Sequence, residues 1–138
     1  MVTIQRTAVF CGVTALGLIC SPVYAQETVK AALHNNTIQL DTNQVKTGIV
    51  TFEASNVSDA SLIHELVVLK TDVPADQLPV IKGKVTEKQF KKMGEVEDVA
   101  AGESKRLTLK LPAGRYVLIC NEPGHYEMGM RTSLLVTP

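Results

Sequence analysis

From Thr28 to Thr137 the chain holds no long helical period. It runs instead through short β-branched and apolar stretches cut by turn residues. Candidate strands are Val29–Leu33, Thr37–Leu40, Gly48–Ala54, Leu62–Lys70, Ser104–Leu111, Arg115–Cys120 and Thr132–Thr137. Thr108-Leu109-Lys110-Leu111 alternates strictly, the pattern of a strand with one wet and one buried face. Leu66-Val67-Val68-Leu69 is apolar on both sides, which predicts a central strand or one covered by a loop. Between two such runs, Pro112-Ala113-Gly114 is a turn: proline presets φ and glycine tolerates positive φ. About seven short strands with no long helix predict an all-β antiparallel sandwich or barrel.

The exception is the stretch from Thr71 to Gly102, which holds Pro74, Pro79, Gly83 and Gly94. It reads as a surface excursion with one short helix around Thr86–Lys92, capped by Thr86, with Lys88, Lys91 and Lys92 in solvent. Met93 belongs to this excursion, away from any metal.

Residues 1–25 differ from the rest. A polar start carrying Arg6 leads into an apolar run from Ala8 to Cys20, then Ser21-Pro22 and the small-residue site Val23-Tyr24-Ala25. That order predicts a secretory signal, cleaved after Ala25. The run falls short of the roughly 20 residues that a membrane span needs. Residues 26–138 then form one domain, long enough to bury a core without staples. Without Arg6, thirteen basic residues face fourteen acidic ones, for a net charge near −1. No basic face with interleaved aromatics is present, so nucleic acid is not the expected partner.

Cysteine usage sharpens the reading. Cys11 and Cys20 leave with the signal, and only Cys120 remains. An exported domain meets an oxidising compartment, where a single thiol is a liability unless buried or occupied. Cys120 opens the segment Cys120-Asn121-Glu122-Pro123-Gly124-His125-Tyr126-Glu127-Met128-Gly129-Met130. Thiolate, imidazole and thioether thus share one loop, and a His₂Cys set with a weak axial methionine is the blue-copper electron-transfer site. The second histidine must come from elsewhere. His64 enters the apolar strand Leu66–Leu69, where an imidazole must find a partner. His34 sits in the turn His34-Asn35-Asn36, where solvent suffices.

These two segments resemble the cupredoxins, the small blue copper proteins, and in particular their stand-alone plastocyanin- or azurin-like members. In that family the first histidine starts a core strand, as His64-Glu65-Leu66-Val67-Val68 does, and the other ligands share the loop before the final strand. Cys120, Pro123, Gly124 and His125 match the azurin arrangement, while the Cys-x₄-His-x₄-Met spacing is similar to rusticyanin- and sulfocyanin-type loops. The resemblance covers nearly all of Thr28–Pro138 and implies a Greek-key sandwich. It further implies one copper ion held by His64, Cys120, His125 and Met130, which fits the longer spacing better than Met128. Electron transfer is the implied activity, with His125, framed by Pro123, Tyr126 and Met128, facing a redox partner in transient contact. Glu65 departs from the asparagine common at that position.

The expectation is therefore an exported, periplasmic, monomeric electron carrier and not an enzyme. Its rival is a periplasmic copper-binding protein for tolerance or delivery, which Glu65, Glu122 and Glu127 near the ligands would also suit. Three histidines in all cannot furnish the extra copper sites of a multicopper oxidase or nitrite reductase. A Cys–His hydrolase lacks a third orienting group and leaves Met130 without a role.

Overall fold

The computed structural model describes residues 26–138; the signal expected at residues 1–25 lies outside the described residues. Two sheets face each other. The first orders β2 (Ile38–Leu40), β1 (Gln26–Leu33), β4 (Gly48–Asn56) and β9 (Ser104–Leu111). The second orders β3 (Gln44–Lys46), β11 (Arg131–Thr137), β10 (Gly114–Ile119), β5 (His64–Lys70) and β8 (Lys91–Val99). Most pairings are antiparallel; β1 with β4 and β11 with β3 are parallel.

Alternation puts Val29, Ala31, Leu33, Val50, Phe52 and Ala54 from the first sheet against Leu66, Val68, Tyr116, Leu118 and Leu134 from the second. Burial of apolar area of this kind, at roughly 25 cal/mol per Å², is the main force holding the sheets together. The expected turn before β10 is present, with Gly114 at φ 149° and the Tyr116 hydroxyl donating to the Pro112 carbonyl at 2.6 Å. All seven candidate runs are strands, with small shifts at their ends.

The Thr71–Gly102 stretch departs from expectation. The helix around Thr86–Lys92 is only a 3₁₀ turn at Glu87–Gln89, and the Thr86 hydroxyl donates to the Pro79 carbonyl instead of capping it. From Lys91 the chain becomes β8, because ladder bonds to β5 outweigh local helix propensity. Gly94 sits close to the facing sheet there: a Cβ would lie 2.8 Å from a Leu109 methyl, which would have to shift. Met93, expected in a surface excursion, instead packs against the interior. Lys92 is not simply solvated, since it bridges Glu87 and Glu95 at 2.9 and 2.5 Å.

What remains of the excursion is a strap, residues 71–90, carrying the ribbon β6 (Val80–Ile81) and β7 (Lys84–Val85). It crosses the outer face of the second sheet and buries Val67, Leu69, Val117 and Ile119 under Leu78 and Val85. This explains why Leu66–Leu69 is apolar on both faces. No helix among the described residues is long and apolar enough to cross a membrane.

Candidate metal centre

Adjacent strands bring residues 64 and 120 together. Ile119 pairs with Val67 at the end of β10, so Cys120 emerges beside the start of β5, where His64 stands. Both side chains are fully buried. The N–H of Glu65 donates to Cys120 Sγ at 3.4 Å.

The following loop is closed at its neck, where the Cys120 N–H donates to the Met130 carbonyl at 3.1 Å. Inside it, Gly124 at φ 81° starts a single helical turn, α1 (His125–Met128), and Gly129 at φ 125° ends it. Such angles favour glycine. A Cβ on Gly129 would also stand 2.7 Å from the Asn36 carbonyl oxygen. The Met130 N–H then donates to the His125 carbonyl at 3.0 Å. Main-chain bonds thereby tie Met130 to both Cys120 and His125.

Three donor atoms converge. His64 Nδ1 lies 3.2 Å from His125 Nδ1, and Cys120 Sγ lies 3.7 Å from the first and 3.4 Å from the second. Nitrogen and sulfur donors sharing one ion at about 2.0–2.3 Å stand roughly 3.5–3.8 Å apart when trigonal. The triangle is close to that size, and its donors are of the soft and borderline kinds that suit copper. The residues present therefore fit a copper ion.

Electrostatics agree with the fit. Burial, and then the neighbouring His125, lower the pKa of His64, so its ring is neutral and has a lone pair to give. Its Nε2 is buried with no hydrogen-bond partner. Burial pushes the Cys120 thiol up to about 11, against the opposing pull of N–H groups from Glu65 and Glu122. Without a cation the sulfur keeps its proton, and a soft metal would replace it.

Met130 is fully buried in the same cluster as Cys120, whereas Met128 is 54% exposed. His34 stays apart, in a turn with Asn35 and Asn36 at the surface. Tyr126, expected to frame His125 at the surface, is instead buried. Its hydroxyl donates to the Ala75 carbonyl at 2.7 Å and accepts from the Leu78 N–H at 2.9 Å. The aromatic ring is an anchor for the strap.

Sequence reasoning missed two things. Asn121 is buried and holds the strap to the metal loop through Val85 and Glu87. Glu65 is only 8% exposed. Burial first, then the charges of Glu122 and Glu87, push its carboxyl up to about 7. An acid inside an apolar strand was the signal available for Glu65; a loop asparagine such as Asn121 carries none.

Comparison with known proteins gives a consistent result. A family described as copper binding proteins, plastocyanin/azurin family, matches residues 25–137. Auracyanin-B of Chloroflexus aurantiacus is 54% identical over 39 residues, which is 28% of this chain but only 17% of that protein. Among solved structures, auracyanin B superposes with a TM-score of 0.58 at 24% identity, covering 86% of this chain and 93% of that one. Rusticyanin from Thiobacillus ferrooxidans gives a TM-score of 0.55 at 20% identity, covering 80% and 76%. At these identities the structural likeness establishes the Greek-key cupredoxin sandwich and nothing finer.

Proposed function

The chain belongs to the plastocyanin/azurin family of copper-binding proteins, and from that premise we propose that it is an exported carrier of single electrons. His64 and His125 would supply Nδ1 and Cys120 Sγ, and Met130, buried in the same cluster as Cys120, would supply its thioether. When bound, copper supplies the one-electron couple between Cu(I) and Cu(II). The observation that carries the reading is the triangle of donors at 3.2, 3.4 and 3.7 Å.

The chain's own residues do the rest. Glu65 holds the sulfur through its N–H, and the bonds joining Cys120, His125 and Met130 fix the loop in one shape. Donors that need not move between redox states keep reorganisation small. His64 and Cys120 are sealed from water, and His125 is half-buried, so the path outward runs through its ring. Exposed Pro123, Met128 and Ile63 provide an apolar rim for a redox partner, in the small transient contact typical of such encounters. Residues 1–25 support export to the periplasm, with residues 26–138 acting there as a monomer. With three histidines in the sequence, the reading is of a carrier and not of an enzyme with further copper centres.

The test adds one equivalent of Cu(II) to metal-free protein and records visible and paramagnetic resonance spectra, then repeats with Cys120→Ser. Intense blue or green charge transfer that the substitution abolishes supports the site. Colour indifferent to Cys120 sinks it. Fast self-exchange with retention of the ion marks a carrier. Ready surrender of copper to an acceptor chelator would mark a delivery protein instead.

A further inference from the structure

The three donors of the triangle stand on two kinds of support. His64 opens β5 and Cys120 follows β10, strands that pair with each other inside the second sheet. His125 has no strand beneath it. It begins α1, a single turn of four residues, and a helix that short has no stability of its own. Contacts from outside the turn must set where the third donor stands.

The residue after His125 makes those contacts. Tyr126 is 3% exposed and held at three points. Its hydroxyl donates to the Ala75 carbonyl at 2.7 Å and accepts from the Leu78 N–H at 2.9 Å, both in the strap. The guanidinium carbon of Arg131, the first residue of β11, lies 5.1 Å from the centre of its ring. Arg131 Nη1 also donates to the Tyr126 carbonyl at 2.6 Å. On the other side of His125, the Gly124 N–H donates to the Gly83 carbonyl at 2.9 Å, again in the strap. The strap has its own footing. Leu78 and Val85 seat it on Val67, Leu69, Val117 and Ile119, and Asn121 pairs with Val85. Burial of that apolar area fixes the strap to the sheet, so the strap is the support and the single turn is what it holds.

We propose that Tyr126 is a positioning residue for His125: held by the strap at its hydroxyl and by Arg131 at its carbonyl, it sets the place of the imidazole beside His64 and Cys120. Tyr126 acts here on the copper site proposed above, although its contacts belong to the fold alone. Without the two hydroxyl bonds, the sheet-borne pair stays where it is and the third donor loosens. Cu(II) accepts tetragonal surroundings readily, so a freer His125 lets a bound ion leave the trigonal set.

Tyr126→Phe keeps the buried ring and removes both hydroxyl bonds. Hydrogen exchange on metal-free protein reads the turn, and paramagnetic resonance of the Cu(II)-loaded protein reads the site. The amides of Met128 and Met130, which donate to the Gly124 and His125 carbonyls, are expected to exchange about tenfold faster or more in the variant, while those of β10 keep their protection. In the loaded variant the copper hyperfine splitting widens toward the tetragonal type. Arg131→Met keeps the stem, drops the guanidinium and should move both readings the same way. Thr86→Val is the control: it cuts a different hydroxyl bond of the strap, to the Pro79 carbonyl, and should leave both readings at their original values. Unchanged exchange in Tyr126→Phe overturns the proposal. Faster exchange with an unaltered spectrum does so too, because the turn would then move without its ligand. Equal effects from Thr86→Val would make Tyr126 a general prop of the strap and also overturn it. If even the unsubstituted protein shows no copper–thiolate signal, the copper reading fails, and exchange in the metal-free protein alone decides whether Tyr126 holds the turn.

Discussion

The side-chain amide of Asn121 forms a two-bond ring with the main chain of Val85, accepting from its N–H at 2.7 Å and donating to its carbonyl at 3.1 Å. A second donor hydrogen reaches Glu87 Oε1 at 2.7 Å. One residue from the thiol, the strap is thus paired to the metal loop much as a strand would be. Asn121→Ala strands two buried backbone groups and is expected to destabilise the metal-free protein by about 2–4 kcal/mol. Urea denaturation measures it, and limited trypsin digestion should then cut first at Lys82, Lys84 or Lys88. A loss under about 0.5 kcal/mol would show that water replaces the amide freely.

Met130 and Met128 make opposite predictions. Met130→Leu conserves apolar volume and should cost less than about 1.5 kcal/mol. It removes a weak donor that favours Cu(II), so blue colour persists while the reduction potential rises. Met128→Leu, at a side chain largely in solvent, should leave spectrum and potential alike unchanged. Voltammetry on both variants decides the assignment, and the reverse pattern would move the axial role to Met128.

Glu65 gives a pH dependence whose sign is fixed. Its carboxyl is raised from 4.5 to about 7 in the folded chain, so the native state binds the extra proton between those values. Stability therefore falls as pH rises through that window and is complete below it. Glu65→Gln should flatten this component and leave the metal-free protein about 1–3 kcal/mol more stable at pH 8. Denaturation midpoints of the two proteins across the range give the difference directly. Parallel curves would mean that solvent already relieves the carboxylate.

Copper uptake should release about one proton per chain at about pH 8.5. Cys120, pushed up to about 11, is still a thiol there, while His64, with its pKa lowered, is already neutral. Calorimetry in two buffers of different ionisation enthalpy counts the protons, and Cys120→Ser should remove the release. Uptake without proton release would place a thiolate in the metal-free protein.

The fold was legible where chemistry alternates with structure. Ser104–Leu111 shows the period outright, and the doubly apolar Leu66–Leu69 predicted a central strand or a covered one, of which the structure has both. Lys91–Val99 was not legible: KKMGEVEDV is an edge strand whose outer face carries lysine and glutamate, so its period drowns in charge. His64 and Cys120 could be found because an imidazole and a lone thiol in apolar strands demand explanation. Asn121 and Tyr126 could not, since an asparagine and a tyrosine in a loop look solvated until the strap is seen to return over them.

The donors are contributed late and far apart. His64 precedes Cys120 by 56 positions, and the loop that follows Cys120 is shaped only once β10 and β11 lie side by side. A chain made from its N-terminus therefore has no such triangle to offer until β11 has been synthesised and the second sheet has closed. The ion it comes to hold is chosen in whichever compartment that closure takes place, by the metals available there at that moment.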